Sequence, residues 1–457
     1  MGGPVPALTS VIARGGSACE ALHPLMPQLP RATIRETAAV LGQAVGPLFA
    51  KGMFVRRPPV VRLLHDTGAE LAEVRALQML RARHGPGPVM LATPGRRLAV
   101  VLDPDHARRV LDETPEPFET DMAEKHAALA HFEPRGSLAS RGEKRAERRR
   151  FNDRVLDSAC PIHRLGGEMT AIVTAEAEAL LARADEEGAL SWGAFKDGWH
   201  RVARSVVLGR SAADDKGLSQ LLIRLRGDAN WAFLKPTRRR LRERFQAAVR
   251  AHLDRAEPGS LASLMPAANT PRAAPVDQVA QWLFAWDAAG IATFRALALL
   301  ASLPGYAQSA RDQVLRGSPE LPLLRATILE SVRLWPTTPA ILRETDRETD
   351  WNGAIMPAGT GLLIHVPYFH RDDQRLPYAN RFAPELWLGG DPERAGFVPF
   401  SAGPGFCPAK RLVEFLGSHM LAHLLARTWR VPERRRLEQG RMPPTFDQFS
   451  LTLEVVR

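Results

Sequence analysis

Apolar positions along the chain recur with two periods, one helical and one alternating. Ile34, Ala38, Leu41, Val45, Leu48 and Phe49 fall at helical spacing. They predict an amphipathic helix that could lie on the domain or on a membrane surface, with packing on the domain the expected outcome. Val89 to Ala92 and Leu98 to Leu102, joined across Thr93-Pro94-Gly95-Arg96, read as a hairpin, and Asp103-Pro104 caps the helix that follows. From 142 to about 315 the pattern is helical, broken at turns such as Gly209 to Gly217 and Glu257 to Gly259. Within it, Leu283 to Phe294 predicts a buried helix. Gly290 in that helix costs about 1 kcal/mol relative to Ala, which suggests close approach by something flat or bulky. Ala326 to Pro336 is a second apolar helix, ended by its proline. The last third alternates short strands and loops and closes on the strand-like Leu451 to Val456. Helices early and centrally with a small sheet mixed in predict a mainly α, α+β class.

The 457 residues contain no clear linker and no repeat, so we expect one domain over 51–457 behind an N-terminal extension of 50 residues. No run reaches the roughly 18 apolar residues of a spanning helix, and the start, with Pro4 and Pro6, does not read as a signal peptide. The expectation is a soluble, cytoplasmic protein without a transmembrane segment. Cys19, Cys160 and Cys407 are too few for a disulfide framework, which fits a reducing compartment. The richness in Ala, Arg and Pro is associated with GC-rich bacterial sources. Lys and Arg number 61 against 50 for Asp and Glu, a net charge of +11 that favours acidic partners. No helix-turn-helix, zinc spacing or aromatic RNA motif accompanies it, which argues against nucleic acid. The basic clusters are Arg145, Arg148, Arg149 and Arg150, and Arg238, Arg239, Arg240, Arg242 and Arg244; each could equally be a solvated helix face.

The segment richest in chemistry is Phe400-Ser-Ala-Gly-Pro-Gly-Phe-Cys407, which opens an apolar helical run through Leu412, Val413, Phe415 and Leu416. A thiol at a helix N-terminus is biased toward thiolate, and a shielded thiolate can ligate iron. A small core cysteine before a helix is the plain alternative. Glu330 and Arg333 lie three apart on one helix face and could be an ordinary ion pair. His370-Arg-Asp372 suggests a kinase catalytic loop, but no Gly-rich loop, lysine strand or Asp-Phe-Gly goes with it.

Taken in order, Glu330-x-x-Arg333, Phe382-Ala-Pro384-Glu385 and Phe400-x-x-Gly403-x-x-x-Cys407 resemble the cytochrome P450 family of haem-thiolate monooxygenases, from about residue 50 to the end. The resemblance implies haem b (iron protoporphyrin IX) with Cys407 as axial ligand. It also implies the family fold, with haem between a long central helix and the Cys helix. Ala289, Gly290 and Thr293 match the oxygen-binding pattern of the central helix, except that Ala292 stands where the family has an acid. Thr293 would hold dioxygen and a water; otherwise its hydroxyl bonds back to its own helix. Gly405 replaces the Arg or His two residues before the Cys. Arg343, Arg149 and Arg145 would therefore hold the haem propionates, with a surface role the alternative for Arg145. Leu386 replaces an Arg that usually joins the Glu330 and Arg333 pair. By family position Phe118, Trp231, Phe233, Ala285, Ala340 and Ile341 are pocket residues, all apolar. They imply a hydrophobic small-molecule substrate oxidised with O2 and electrons from an acidic ferredoxin-type partner and its reductase. A peroxygenase, a thiolate-haem isomerase or dehydratase, and a non-enzymatic haem sensor are the other readings.

Overall fold

In the computed structural model, residues 28–390, 392 and 396–456 are described; Pro4, Pro6 and Cys19 lie outside them. Thr33 caps the first helix reciprocally with Glu36, the capping-box arrangement. Helix α1 (Ile34–Val40) runs through a π turn, Leu41–Val45, into α2 (Gly46–Lys51). The buried stripe is Thr37, Val40, Ala44 and Leu48, while Ile34 and Ala38 face outward. The expected stripe is thus rotated by about one residue: three- and four-residue steps leave two neighbouring registers open, and contact with the later helix α4 (Leu71–His84) selects one. Ahead of it, Ala32 N–H donates to Met90 O at 2.9 Å and Met90 N–H to Pro30 O at 2.8 Å, so this segment packs on the protein.

After α3 (Pro58–Thr67) and α4, the expected hairpin forms as β1 (Val89–Met90) and β2 (Leu98–Val100), with Val89 opposite Val100. Asp103 caps α5 (Pro104–Asp112) by accepting from Asp105 N–H. Then come β3 (Phe118–Glu119), α6 (Ala123–Leu129), α7 (Gly142–Val155), α8 (Gly166–Glu187), β4 (Ala189–Ser191), α9 (Trp192–Leu208), α10 (Lys216–Ala229), α11 (Arg239–Arg255) and α12 (Leu261–Ala268). Helices α13 (Pro275–Ser302), α14 (Pro304–Leu315) and α15 (Pro322–Leu334) each begin at a proline, whose missing N–H costs nothing in the first turn. The chain closes with β5 (Ala340–Thr345), β6 (Thr349–Trp351), β7 (Ala354–Met356), β8 (Gly361–His365), α16 (Val366–Arg371), α17 (Lys410–Leu424), β9 (Trp429–Arg430) and β10 (Thr452–Val455).

A five-stranded sheet, β1-β2-β8-β5-β3, is antiparallel except between β2 and β8. Strand β4 interrupts the helical stretch because it pairs with the last strand, Leu190 opposite Leu453, a partner more than 250 residues away that no local pattern reveals. The helical core gathers around α13, which packs on α9, α15 and α17. By length and composition α13 could cross a membrane; here it is the central core helix, sheathed by other helices.

At Gly290 α9 packs close against α13. A Cβ there would lie 2.6 Å from Cδ1 of Trp199, whose indole N–H donates to Trp286 O at 2.9 Å. The flat group predicted beside this glycine is therefore a tryptophan from a neighbouring helix. Gly290→Ala is expected to lose about 1–3 kcal/mol to overpacking despite its better helix propensity. Thermal unfolding measures this, and pairing the change with Trp199→Phe should recover part of the loss.

Candidate functional site

The Cys407 turn is held from both sides. Cys407 N–H donates to Phe400 O at 2.8 Å, and Lys410 N–H to Cys407 O at 3.1 Å, closing the turn into α17. Gly403 adopts φ +58°, and a Cβ on it would meet Leu111 O at 2.1 Å, so the C-terminal end of α5 leaves room for no other residue. Burial pushes the Cys407 thiol up, against the opposing pull of the Ala409 N–H, Arg149 and Lys410. The helix end alone does not favour the thiolate; a thiolate here needs a cation bound to it.

Glu330 and Arg333 are completely buried, with Nη2 to Oε1 at 2.6 Å and Nε to Oε2 at 2.7 Å. Arg333 also donates to the carbonyls of His370, Ala379 and Arg381, while Glu330 accepts from Ala383 N–H and the Trp387 indole N–H. The arginine that Leu386 replaces is thereby supplanted by a backbone amide and by Trp387 next to it. An exposed ion pair is excluded.

Four cations converge near Gly405. Arg343 donates to Thr114 Oγ1 at 2.9 Å and to Leu342 O at 3.0 Å. Its Nη2 sits where a Cβ on Gly405 would come within 2.6 Å, so the glycine leaves space that Arg343 fills. Burial, aided by nearby Arg145, lowers the Arg343 pKa to about 10. Arg145 is buried rather than on the surface and donates to Thr120 Oγ1 at 3.3 Å. Arg149 lies over the Phe406 ring at 4.3 Å and is bridged to Asp153, yet its Nη2 is buried without a partner. Lys125 from α6, which no motif singles out, faces the same interior; burial and then Arg343 lower its pKa to about 7. Lys125, Arg145 and Arg343 have no carboxylate within 4.0 Å among the described residues. Three enclosed cations without counter-ions make a receptor for anions.

Of the basic cluster on α7, Arg148 is buried as well, donating to Arg272 O and Ser140 Oγ. Arg150 alone of the four is exposed, and it bridges to Glu143. This cluster is neither a solvated face nor, for the most part, a free docking surface.

Along α13, Thr293 is fully buried, its hydroxyl donates to Ala289 O at 2.9 Å, and it lies against Gly417 of α17. The helix-bonded alternative is the geometry adopted. Ala289 stays buried on the face that Trp282 and Thr293 bracket, where Trp282 bonds Asn152 of α7. Ala285 shares that face by helical spacing. Asp287 points away: burial would raise its pKa, but Arg226 and His200 hold it well below the usual range.

The proposed pocket residues scatter. Phe118 is buried in the sheet against Trp351, whereas Trp231 and Phe233 are 40% and 70% exposed. None of the six, Ala285, Ala340 and Ile341 included, lines the open cleft that reaches Ile291 and Arg295 of α13. Its walls come from α3, α4, α13, the Pro336 to Pro339 loop and residues 444–449, and they carry several charges.

Comparison with known proteins sets these arrangements in a family. A sequence model described as Cytochrome P450 matches residues 308–445, the stretch containing Glu330, Arg333 and Cys407. The fold is similar to that of retinoic acid bound cyanobacterial CYP120A1, with TM-score 0.66 and 16% identity over 83% of this chain and 93% of that one. The matched stretch resembles the cytochrome P450 family, and the fold as a whole is that of a P450. It is 32% identical over 130 residues to cyclooctat-9-en-7-ol 5-monooxygenase of Streptomyces melanosporofaciens, covering 26% of this chain and 28% of that one. It is also 32% identical over 128 residues to tabersonine 6,7-epoxidase isoform 1 of Catharanthus roseus, covering 26% and 25%. The matched stretch thus spans about a quarter of these relatives' length.

The matched family model and the fold imply haem b, and the residues of this chain fit that group. Among the described residues no three His, Cys, Asp or Glu side chains could hold a bare ion, so a lone thiolate needs a macrocycle to complete the coordination. The unpaired cations near Gly405 match two propionates in sign. Lys125→Met, Arg145→Ala and Arg343→Ala should each speed haem loss to an apomyoglobin trap. Because the folded pKa of Lys125 lies below its ordinary 10.5, the unfolded chain binds a proton that folded apoprotein does not between about pH 7 and 10. Apoprotein stability, measured by urea unfolding, should therefore rise with pH across that window by up to about 1.4 kcal/mol per unit, and Lys125→Met should flatten the rise. Removing one partner of the buried pair, as in Glu330→Ala, is expected to cost about 3–5 kcal/mol and leave little soluble holoprotein.

Proposed function

We propose that this P450 is a monooxygenase that places one oxygen atom of O2 into a C–H or C=C bond of a hydrophobic small molecule. Its electrons come from a separate acidic, ferredoxin-type partner, and its proposed setting is the bacterial cytosol. The observation carrying this reading is Cys407, half-buried on a turn fixed by its bond to Phe400 O, two residues from Gly405, where unpaired cations gather. Haem, when bound, supplies the redox-active iron to which oxygen binds. The chain's own residues shape everything around it. The Phe400 carbonyl and the Gly403 turn fix the thiol, while Lys125, Arg145 and Arg343 anchor the acid groups. Ala285 and Ala289 leave room beside α13 for oxygen and substrate. Aromatic packing of Phe54, Phe132 and Phe284 helps keep water from that side.

Proton supply is the unusual feature. Both acids of α13 are engaged elsewhere, Asp277 with Arg135 and Asp287 with Arg226 and His200, and Ala292 has no proton to give. The Thr293 hydroxyl is tied to Ala289 O. This favours a second reading, a peroxygenase or a reductase-independent isomerase or dehydratase, in which no acid on α13 is required.

Reduced protein exposed to carbon monoxide should show the strongly red-shifted Soret band of a thiolate ligand, and Cys407→His should abolish it. An unchanged spectrum in Cys407→Ser would overturn the assignment. Turnover with ferredoxin and reductase against turnover with peroxide alone separates the two readings, and absence of any product supports a sensor. With its hydroxyl internally bonded, Thr293→Ala should alter the ratio of product to wasted peroxide by less than about twofold.

A further inference from the structure

Glu414 follows Cys407 by seven residues, a spacing of two helical turns, and lies on α17. The residue is only 2% exposed, and its Oε1 is buried without a hydrogen-bond partner. The other oxygen, Oε2, accepts from Arg411 Nη1 at a long 3.4 Å, and that arginine side chain is 46% exposed on the same helix. A full negative charge in this position is poorly met. The other charged groups acting on Glu414 are Lys410, at the start of α17, and Arg325 of α15. Arg325 spends Nη2 on Pro161 O at 3.0 Å, in the loop joining α7 to α8, and its Nε is buried without a partner. It makes no ion pair with Glu414 within 4.0 Å among the described residues.

Burial pushes the Glu414 carboxyl above the usual carboxylate range, against the weaker pull of Lys410, Arg411 and Arg325. The Cys407 thiol, raised chiefly by its own burial, is raised further by charge on Glu414. Negative charge at either place therefore disfavours negative charge at the other, and such coupling is reciprocal. We propose that Glu414 tunes the Cys407 centre, binding a proton when the haem iron held there is reduced. The electron comes from the one-electron donor of the proposed function and converts ferric iron to ferrous. The proton comes from solvent on the side of exposed Arg411 and forms the carboxyl O–H bond, so the charge of the site is unchanged. Glu414 is thus a positioning residue, acting through the ligand rather than on the reacting atoms. This inference rests on haem bound at Cys407 and not on what the haem then oxidises. At a separation of roughly 10 Å and an effective dielectric of about 20, one added electron should tighten proton binding at Glu414 by about tenfold.

The test is the reduction potential of the full-length, haem-loaded chain, measured by spectroelectrochemistry from about pH 5 to about pH 9, a range that brackets a raised carboxyl. The wild-type potential should fall as pH rises across a window of about one unit and level off on both sides. Glu414→Gln, isosteric and neutral, should remove the fall and keep the potential that wild type reaches in acid. Arg411→Gln, at an exposed position, should keep the fall and move its midpoint to higher pH, because a cation favouring the carboxylate is gone. A wild-type potential independent of pH overturns the proposal whether or not the variants fold. An equal fall in Glu414→Gln also overturns it and assigns the pH dependence to the propionates beside Lys125, Arg145 and Arg343. A purely structural role for Glu414 would offset the potential of Glu414→Gln and leave its pH slope as in wild type. The red-shifted Soret band of the reduced carbon monoxide complex is recorded on the same samples. Its absence removes the haem-thiolate reading and this proposal together, whereas the band without a fall that depends on Glu414 removes this proposal alone.

Discussion

The ion pair between Glu330 and Arg333 carries more of this structure than its single turn of helix suggests. Two full charges at zero exposure are tolerable only if nearly every lone pair and N–H is met. The chain meets them with carbonyls from 370, 379 and 381, the Ala383 N–H and the Trp387 indole. All of those partners except His370, which belongs to α16, lie in the irregular stretch between α16 and the Cys407 turn. That stretch has little regular structure of its own, so the buried charges give it a fixed course. His370 extends the same connection, its Nε2 accepting from Val398 N–H at 2.8 Å, two residues before Phe400. Burial and nearby Arg333 hold the His370 pKa down to about 3, which keeps that ring neutral and able to accept. Phe400 in turn accepts from Cys407. Hydrogen bonds, joined through the backbone from 398 to 400, therefore lead from the core of α15 to the Cys407 amide.

The surroundings of the thiol follow a second constraint, that of charges kept without partners. Arg145, Arg343 and Lys125 lie in a region where desolvation works against each of them, and they repel one another. Such an arrangement is costly in an empty protein and becomes favourable when an anion enters. Buried arginines saturated by carbonyls, such as Arg295 and Arg371, instead hold loops.

Much of this was open to reading from the residues themselves. The apolar runs predicted α13 and α15, Asp103-Pro104 capped α5, Leu98 to Leu102 paired as a hairpin, and the order of Glu330, Arg333, Phe400, Gly403 and Cys407 marked the family. These features are local, set by spacing, turn chemistry and caps, and a reader of the chain has all the information they require.

What the sequence left undecided depends on which surfaces meet. Strand β4 exists because β10 returns to it; Gly290 is needed because Trp199 of another helix crosses there; Arg145 and Arg148 are interior because α7 packs that face inward. Thr293 carried the same residue type in either of its two roles, and the folded chain, which packs it against Gly417, has its hydroxyl bonded to its own helix. The cleft beside α13 has walls assembled from α3, α4 and the 444–449 segment, which lie far apart in the chain. The sequence by itself determined the helices, the turn and the family resemblance. Tertiary packing decided which charges are buried, which of them lack partners, and where a ligand can enter, because those properties belong to the distances between elements.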